Sequence, residues 1–394
     1  MQVDIQTLRS ASIPIIIFGA GVAGEAVFHA CYDRGIKVKG FCDNNSGKTG
    51  SLLGLPVEYA PEVLKKYSEA IFIVAVIDIQ DIVAQLQSSG CKYYFPAAEL
   101  LRHYDIFRHV YSKPETFVEY VISTCICSQD SYTAPEKLFI RSVDLVITER
   151  CSLKCKDCSN LMQYYRNPKD YLLATVFDSV EKLCSLADEI NEIRVIGGEP
   201  FMNRQWSDVA QKISLFKNIN RIMFYTNGTI RPREEDIKKL DREKSFFIIT
   251  DYGKLSRNID LMCDILTKNE IKFSRVSVGG WTNCAIIKDF ERDDKQNQAV
   301  FDCCCVRNSY TLSNGKFYRC PFAANADQLR AVPEFQEDYL DLLSENIGKE
   351  DLFALIRRRD FIHTCGFCPG RKLDDPQIVP AIQTKEPIGY KEYR

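Results

Sequence analysis

The stretch Val143-Asp144-Leu145-Val146-Ile147-Thr148-Glu149-Arg150-Cys151-Ser152-Leu153-Lys154-Cys155-Lys156-Asp157-Cys158 decides the fold. Its opening residues, 143–148, form a mostly apolar run that reads as a buried strand. Its closing residues place Cys151, Cys155 and Cys158 at a spacing that holds three corners of a [4Fe–4S] cluster and leaves the fourth iron open. An open iron can bind a small molecule and do chemistry on it, whereas a structural cluster has every corner filled. A rigid strand leading directly into such a loop fixes the position of the reactive group.

Two further segments follow in order: Ile193-Arg194-Val195-Ile196-Gly197-Gly198-Glu199-Pro200, and Met223-Phe224-Tyr225-Thr226-Asn227-Gly228. With the cysteine loop they resemble the first three strand ends of the radical S-adenosylmethionine (SAM) superfamily. The resemblance implies that Cys151, Cys155 and Cys158 hold a [4Fe–4S] cluster whose open iron chelates SAM. It implies that Gly197, Gly198, Glu199 and Pro200 form the turn that receives the methionyl amine, with Thr226 and Asn227 near the cofactor. It also implies a 5'-deoxyadenosyl radical as the reactive species, and a flavodoxin- or ferredoxin-type electron donor. One position departs from the pattern, since Asp157 stands where an aromatic residue ordinarily packs near the adenine. A zinc knuckle is the plainer reading of any one cysteine motif, because thiolates also bind zinc.

Strand and helix patterns alternate beyond the loop: helices over 177–187, 208–215 and 261–268, strands over 246–250 and 272–278. Repeated βα units argue for a parallel sheet, and the resemblance implies a partial (β/α)6 barrel over 141–295. Asp251, Tyr252, Arg257 and Arg275 fall at or after strand ends. Arg257 or Arg275 suits a SAM carboxylate or a substrate phosphate, and an ordinary surface salt bridge suits each equally.

Residues 296–372 carry a second cysteine set: Cys305, nine residues, Gly315, four residues, Cys320, then Cys365-Gly366-Phe367-Cys368. Ser313-Asn314-Gly315 reads as the turn of a hairpin. The pattern resembles the Twitch form of the SPASM extension, which implies an auxiliary [4Fe–4S] cluster on Cys305, Cys320, Cys365 and Cys368. A structural zinc on the same thiolates is the alternative. The triplet Cys303-Cys304-Cys305 leaves the register of the first ligand open, and strand periodicity would send Cys304 to the face opposite its neighbours. Cys303, Cys304 or Cys284 could then face the barrel mouth as a hydrogen-atom donor. Residues 373–394 form a C-terminal tail that wraps the barrel, covers the substrate opening or is simply ordered.

The first region, 1–110, reads as a Rossmann-like domain. A buried-strand pattern over 14–18 leads into Gly19-Ala20-Gly21-Val22-Ala23-Gly24 and a helix, with a second strand ending at Asp43. The glycines allow a tight turn and let phosphate approach the helix start, while Asp43 suits a ribose hydroxyl. Gly40-Phe41-Cys42-Asp43-Asn44-Asn45 and Gly54-Leu55-Pro56-Val57 resemble segments of the Rossmann-like domains attached to sugar acyltransferases and polysaccharide-biosynthesis enzymes. That resemblance implies a carbohydrate setting, with a nucleotide or nucleotide-sugar, NAD, or a purely structural role for the turn. Residues 111–140 read as a helical linker in which Cys125 and Cys127 are incidental thiols.

With 51 basic and 53 acidic side chains among 394 residues, no global field attracts nucleic acid. No signal core or spanning helix is legible, and the 17 cysteines fit a reducing cytoplasm better than a disulfide framework. An auxiliary cluster with four protein thiolates has no open iron and suits electron transfer or bracing of a substrate pocket. The resemblance to Twitch enzymes, together with the sugar-associated resemblance of the first region, implies radical dehydrogenation of a secondary alcohol on a sugar, cyclitol or nucleotide-linked sugar. The alternatives are epimerisation with a cysteine hydrogen donor, carbohydrate elimination, and peptide or protein maturation.

Overall fold

The computed structural model describes residues 1–372 and 374–394. Leu373, the first residue of the expected tail, lies outside the described residues. The chain divides into two compact units, Met1–Lys137 and Leu138–Arg394.

In the first unit, a six-stranded sheet runs in the order Gly50–Leu52, Leu55–Tyr59, Gly40–Asp43, Ile15–Phe18, Ile71–Val74 and Tyr93–Pro96. All neighbours are parallel except the first pair. Every residue of the central strand Ile15–Phe18 is buried, as befits a parallel strand covered on both faces. The helix Val22–Asp33 starts directly after the glycine turn. A Cβ on Gly24 would sit 1.9 Å from the Gly19 carbonyl oxygen, so this glycine is needed to seat the helix against the turn. Gly19 itself has φ +113° and no room for a Cβ beside the Ala75 carbonyl.

The helix Glu115–Thr133, at the heart of the expected linker, belongs to this unit's core. Val118, Ile122 and Cys125 cluster with Ile17 and Phe41. Gln129 fastens the helix to the sheet: its Nε2 donates to the Val74 and Val76 carbonyls and its Oε1 accepts from Ala98 N. Each fully buried aliphatic side chain of such a core is worth roughly 1.5–3 kcal/mol relative to exposure.

The second unit holds a larger sheet. Five parallel strands follow the chain from one side of the sheet: Val143–Thr148, Glu189–Gly197, Ile219–Thr226, Ser245–Asp251 and Lys272–Ser277. The helices Leu173–Leu186, Trp206–Ser214 and Ile259–Lys268 contribute apolar residues to the same core. Where six βα strands are expected, the neighbour of Val143–Thr148 on its free side is instead Tyr310–Ser313, from the cysteine-rich region. That strand turns through Asn314-Gly315 into Lys316–Tyr318, which pairs with Tyr339–Asp341. Leu312 opposite Leu145, with Phe317 behind, joins the hairpin to the core of this sheet, so the strands of the 296–372 region continue it.

Asp144 and Arg194, on adjacent strands, form an ion pair at 2.6 Å. Burial raises the Asp144 carboxyl and the Arg194 charge opposes that shift. The Arg194 guanidinium lies 5.8 Å from the Tyr225 ring centroid.

Candidate active site

The loop after the first barrel strand and the turns after the second and third meet at one cavity of about 290 Å³. Its walls include Cys151, Cys155 and Cys158 together with Gly197, Gly198, Glu199, Thr226 and Asn227. The two glycines allow this closeness. A Cβ on Gly198 would stand 2.4 Å from the Arg150 carbonyl oxygen and 2.6 Å from Cys151 Cβ, and one on Gly197 would stand 2.1 Å from the Thr148 oxygen. Backbone bonds from Gly198 N to Thr148 O (3.1 Å) and from Glu199 N to Arg150 O (2.9 Å) fix the approach. Pro200 is buried in the next turn and is not part of the cavity wall.

Glu199 joins the second and third strand ends. Its Oε1 accepts from the Thr226 hydroxyl at 2.8 Å and its Oε2 from Asn227 N at 2.9 Å. Burial pushes its carboxyl up to about 7, against these donors. Asn227 Nδ2 in turn reaches Ser152 Oγ at 3.1 Å and Cys151 Sγ at 3.8 Å. Burial also raises the thiols, that of Cys158 to about 11, so their use as ligands requires proton release on binding. Three thiols on one wall, with a glycine cradle and a buried carboxyl on the next, fit a [4Fe–4S] cluster with SAM on its open iron.

Asp157 lines the cavity, as do Tyr252 and Trp281, whose rings pack edge to face at 6.1 Å. Aromatic side chains thus reach the cavity from the fourth strand end and from Trp281–Thr282 rather than from position 157. Trp281 was not legible as a site residue, because its strand is two residues long and pairs with Gln377–Ile378 in the tail.

The tail also binds the cysteine loop. Lys154 N donates to Gln383 Oε1 at 2.7 Å, and Gln383 Nε2 donates to Cys155 Sγ at 3.3 Å. Lys156 N donates to Ile382 O, and Thr384 N donates to Lys154 O, each at 2.7 Å. Residues 382–384 of the tail are thus tied to the cysteine loop.

A second, smaller void of about 50 Å³ is lined by Cys304, Cys320, Cys365 and Cys368. Cys305, expected in this set, is exposed and absent from the wall, its N–H donating to Arg371 O at 2.8 Å. The helix Asp294–Asp302 explains the difference: Cys304 N still donates to Phe301 O at 3.0 Å, so a helical turn rather than strand alternation sets which thiol faces inward. Cys303 is exposed and lines neither cavity. Arg292 staples the later pair, its Nη1 donating to the carbonyls of Cys365 (3.0 Å) and Cys368 (2.7 Å). Burial pushes the Cys365 thiol up to about 11. Four thiols of this kind fit a fully ligated [4Fe–4S] cluster. Among the described residues, no three His, Cys, Asp or Glu side chains gather as ligands of a single ion.

Ser159, Cys284 and Arg371 line both cavities and so form the wall between them. Arg257 and Arg275 line neither. Arg275 is held outside by Asp251 (2.6 Å) and Asp260 (2.8 Å), the surface salt-bridge alternative.

In the first unit, Asp43 is engaged locally. Its Oδ2 accepts from Ala20 N and Lys48 Nζ, and its Oδ1 from Asn45 N, each at 2.9 Å. Burial raises this carboxyl, but Lys48, Asn45 and Ala20 outweigh that effect and hold it below its usual range. The expected ribose acceptor thus ties the glycine turn to the strand end. A Cβ on Gly21 would meet nothing closer than Lys48 Nζ at 3.8 Å, so the helix start is open.

No described helix is long and apolar enough to cross a membrane. Residues 145–250 match the Radical SAM superfamily. The GTP 3',8-cyclase of Clostridium acetobutylicum is 29% identical over 175 residues, 40% of this chain and 52% of that protein. The mitochondrial GTP 3',8-cyclase of Arabidopsis thaliana is 25% identical over 159 residues, 38% of this chain and 39% of that protein. The matched stretch therefore spans about half or less of these relatives. Among solved structures, BtrN in complex with AdoMet and 2-DOIA aligns at 14% identity and TM-score 0.40, over 63% of this chain and 97% of that one. Residues 145–250, which carry the three-cysteine loop, the Gly-Gly-Glu turn and the third strand end, are a Radical SAM superfamily domain.

Proposed function

We propose that this chain is a radical SAM oxidoreductase that removes hydrogen from a hydroxyl-bearing carbon of a carbohydrate-like substrate. The supporting observation is the shared wall: the three-cysteine cavity and the four-cysteine cavity have Ser159, Cys284 and Arg371 in common. When bound, the first cluster with SAM supplies a 5'-deoxyadenosyl radical and the second supplies an electron sink. In the proposed net reaction a secondary alcohol becomes a ketone, losing one hydrogen atom, one proton and one electron. Cys151, Cys155 and Cys158 would hold the first cluster, and Cys304, Cys320, Cys365 and Cys368 the second. Glu199, Thr226 and Asn227 orient the cofactor turn, while Tyr252 and Trp281 exclude water from the reacting centre. A nucleotide or nucleotide-sugar on the first unit belongs to the same reading, with the open Gly21 turn as its support.

A second reading is a cyclase-type reaction on a nucleotide, favoured by the names of the relatives that match the barrel. The two readings differ in their product, a ketone in the first and a cyclised nucleotide in the second. Epimerisation would need a thiol at the reacting centre; Cys284, buried on the shared wall, is the cysteine placed for it. Product analysis with SAM and a strong reductant separates these readings. A ketone formed with one 5'-deoxyadenosine per turnover supports dehydrogenation, whereas a redox-neutral product without a ketone rejects it.

A further inference from the structure

Three guanidinium groups line the four-cysteine cavity: Arg307, Arg319 and Arg371. Two are engaged by the protein. Arg319 donates to the carbonyls of Leu355 and Arg358 and to Asn308 Oδ1, and Arg307 Nη1 donates to the Asp302 carbonyl. Arg371 differs. Among the described residues its side chain has no hydrogen bond and no carboxylate within ion-pair distance, although Asp157 lies on the same cavity wall. It is also the one arginine that lines both cavities.

We infer that Arg371 binds an anionic group of the substrate, a phosphate ester or a carboxylate, and so places the adjoining carbon at the wall between the two cavities. This rests on the proposed function and specifies its substrate class. A planar guanidinium offers paired donors that match the oxygens of phosphate or carboxylate. Among the described residues no carboxylate pairs with Arg371, whose charge acts on the neighbouring Cys304 and Cys305 thiols, and the cavity it faces is roomy and partly polar. Ser159, which lines the same wall, carries a hydroxyl that would give the anion a second donor. A neutral sugar would offer this guanidinium no paired anionic oxygens.

The test uses full-length protein reconstituted anaerobically with SAM present, and two carbon-poor probes: inorganic pyrophosphate and malonate. Calorimetric titration should show binding to the wild type, weakened roughly tenfold or more in Arg371→Gln and less in Arg371→Lys, which keeps the charge but loses the paired geometry. Tighter pyrophosphate than malonate assigns a phosphate ester, and the reverse order a carboxylate. Iron content and the SAM-perturbed resonance signal, measured on the same samples, keep the two claims separate. Wild type lacking that signal rejects the radical reading. Wild type that has the signal but binds neither anion, or binds as Arg371→Gln does, overturns the role of Arg371.

Discussion

Gln383 Nε2 donates to Cys155 Sγ at 3.3 Å across 228 residues of sequence. The same side chain accepts from Lys154 N through its Oε1, so one amide from the tail grips both the ligand thiol and the loop backbone. An N–H directed at a cluster sulfur favours the more negative, reduced state. Replacing Gln383 by Leu should therefore lower the reduction potential of the SAM-binding cluster by roughly 60 mV or less, up to about tenfold in the one-electron equilibrium. Potentiometric titration followed by electron paramagnetic resonance would check this, and an unchanged potential would remove Gln383 from the tuning of the cluster.

Gly198 and Gly279 make a matched pair. Gly198→Ala would press a methyl group onto the Arg150 carbonyl and Cys151 Cβ, whereas Gly279→Ala meets nothing within 4 Å. The first should cost about 1–3 kcal/mol and impair cluster loading, the second neither. Iron analysis and thermal melting of both variants supply the comparison.

Glu199 carries a pH dependence with a definite sign. Its folded carboxyl is raised to about 7 from an ordinary 4.5. The native apoprotein therefore keeps a proton that the unfolded chain has lost, and this group's contribution to stability falls as pH rises from about 4.5 to 7. Glu199→Gln should flatten that slope, by an amount on the order of a few kcal/mol at most. Urea midpoints of wild-type and variant apoprotein at pH 5 and pH 8 would show it; parallel slopes would count against it.

Cys304 and Cys305 should behave differently despite being adjacent. Cys304→Ala is expected to lose about four irons per chain and the second cluster's signal, while Cys305→Ala keeps both. The reverse outcome would restore the glycine-based spacing as the guide to the ligands.

Much of this was legible because strand-end motifs combine a local pattern with a chemical demand. Val143–Thr148 leads into the cysteines, and Gly197-Gly198-Glu199 and Thr226-Asn227 come to the same cavity. The register of Cys303-Cys304-Cys305 was not legible, since it depends on a helix that ends at Asp302 and on the turn bond from Cys304 N to Phe301 O that closes it. Arg275 satisfied the position expected of an anion-binding residue, yet Asp260 lies close enough in the fold to hold it outside. Gln383, Trp281 and Arg371 are placed by long-range pairing of the tail and the late loops, for which a local sequence window carries no signal.

The central claim is best tested by iron and acid-labile sulfide analysis of anaerobically purified protein, with electron paramagnetic resonance before and after SAM. Wild type would be compared with the Cys151→Ala/Cys155→Ala/Cys158→Ala variant. The account predicts about eight irons per chain, a SAM-perturbed signal absent from the variant, and a second signal that survives in it. A signal indifferent to SAM, or one retained in the variant with full SAM cleavage, would contradict it.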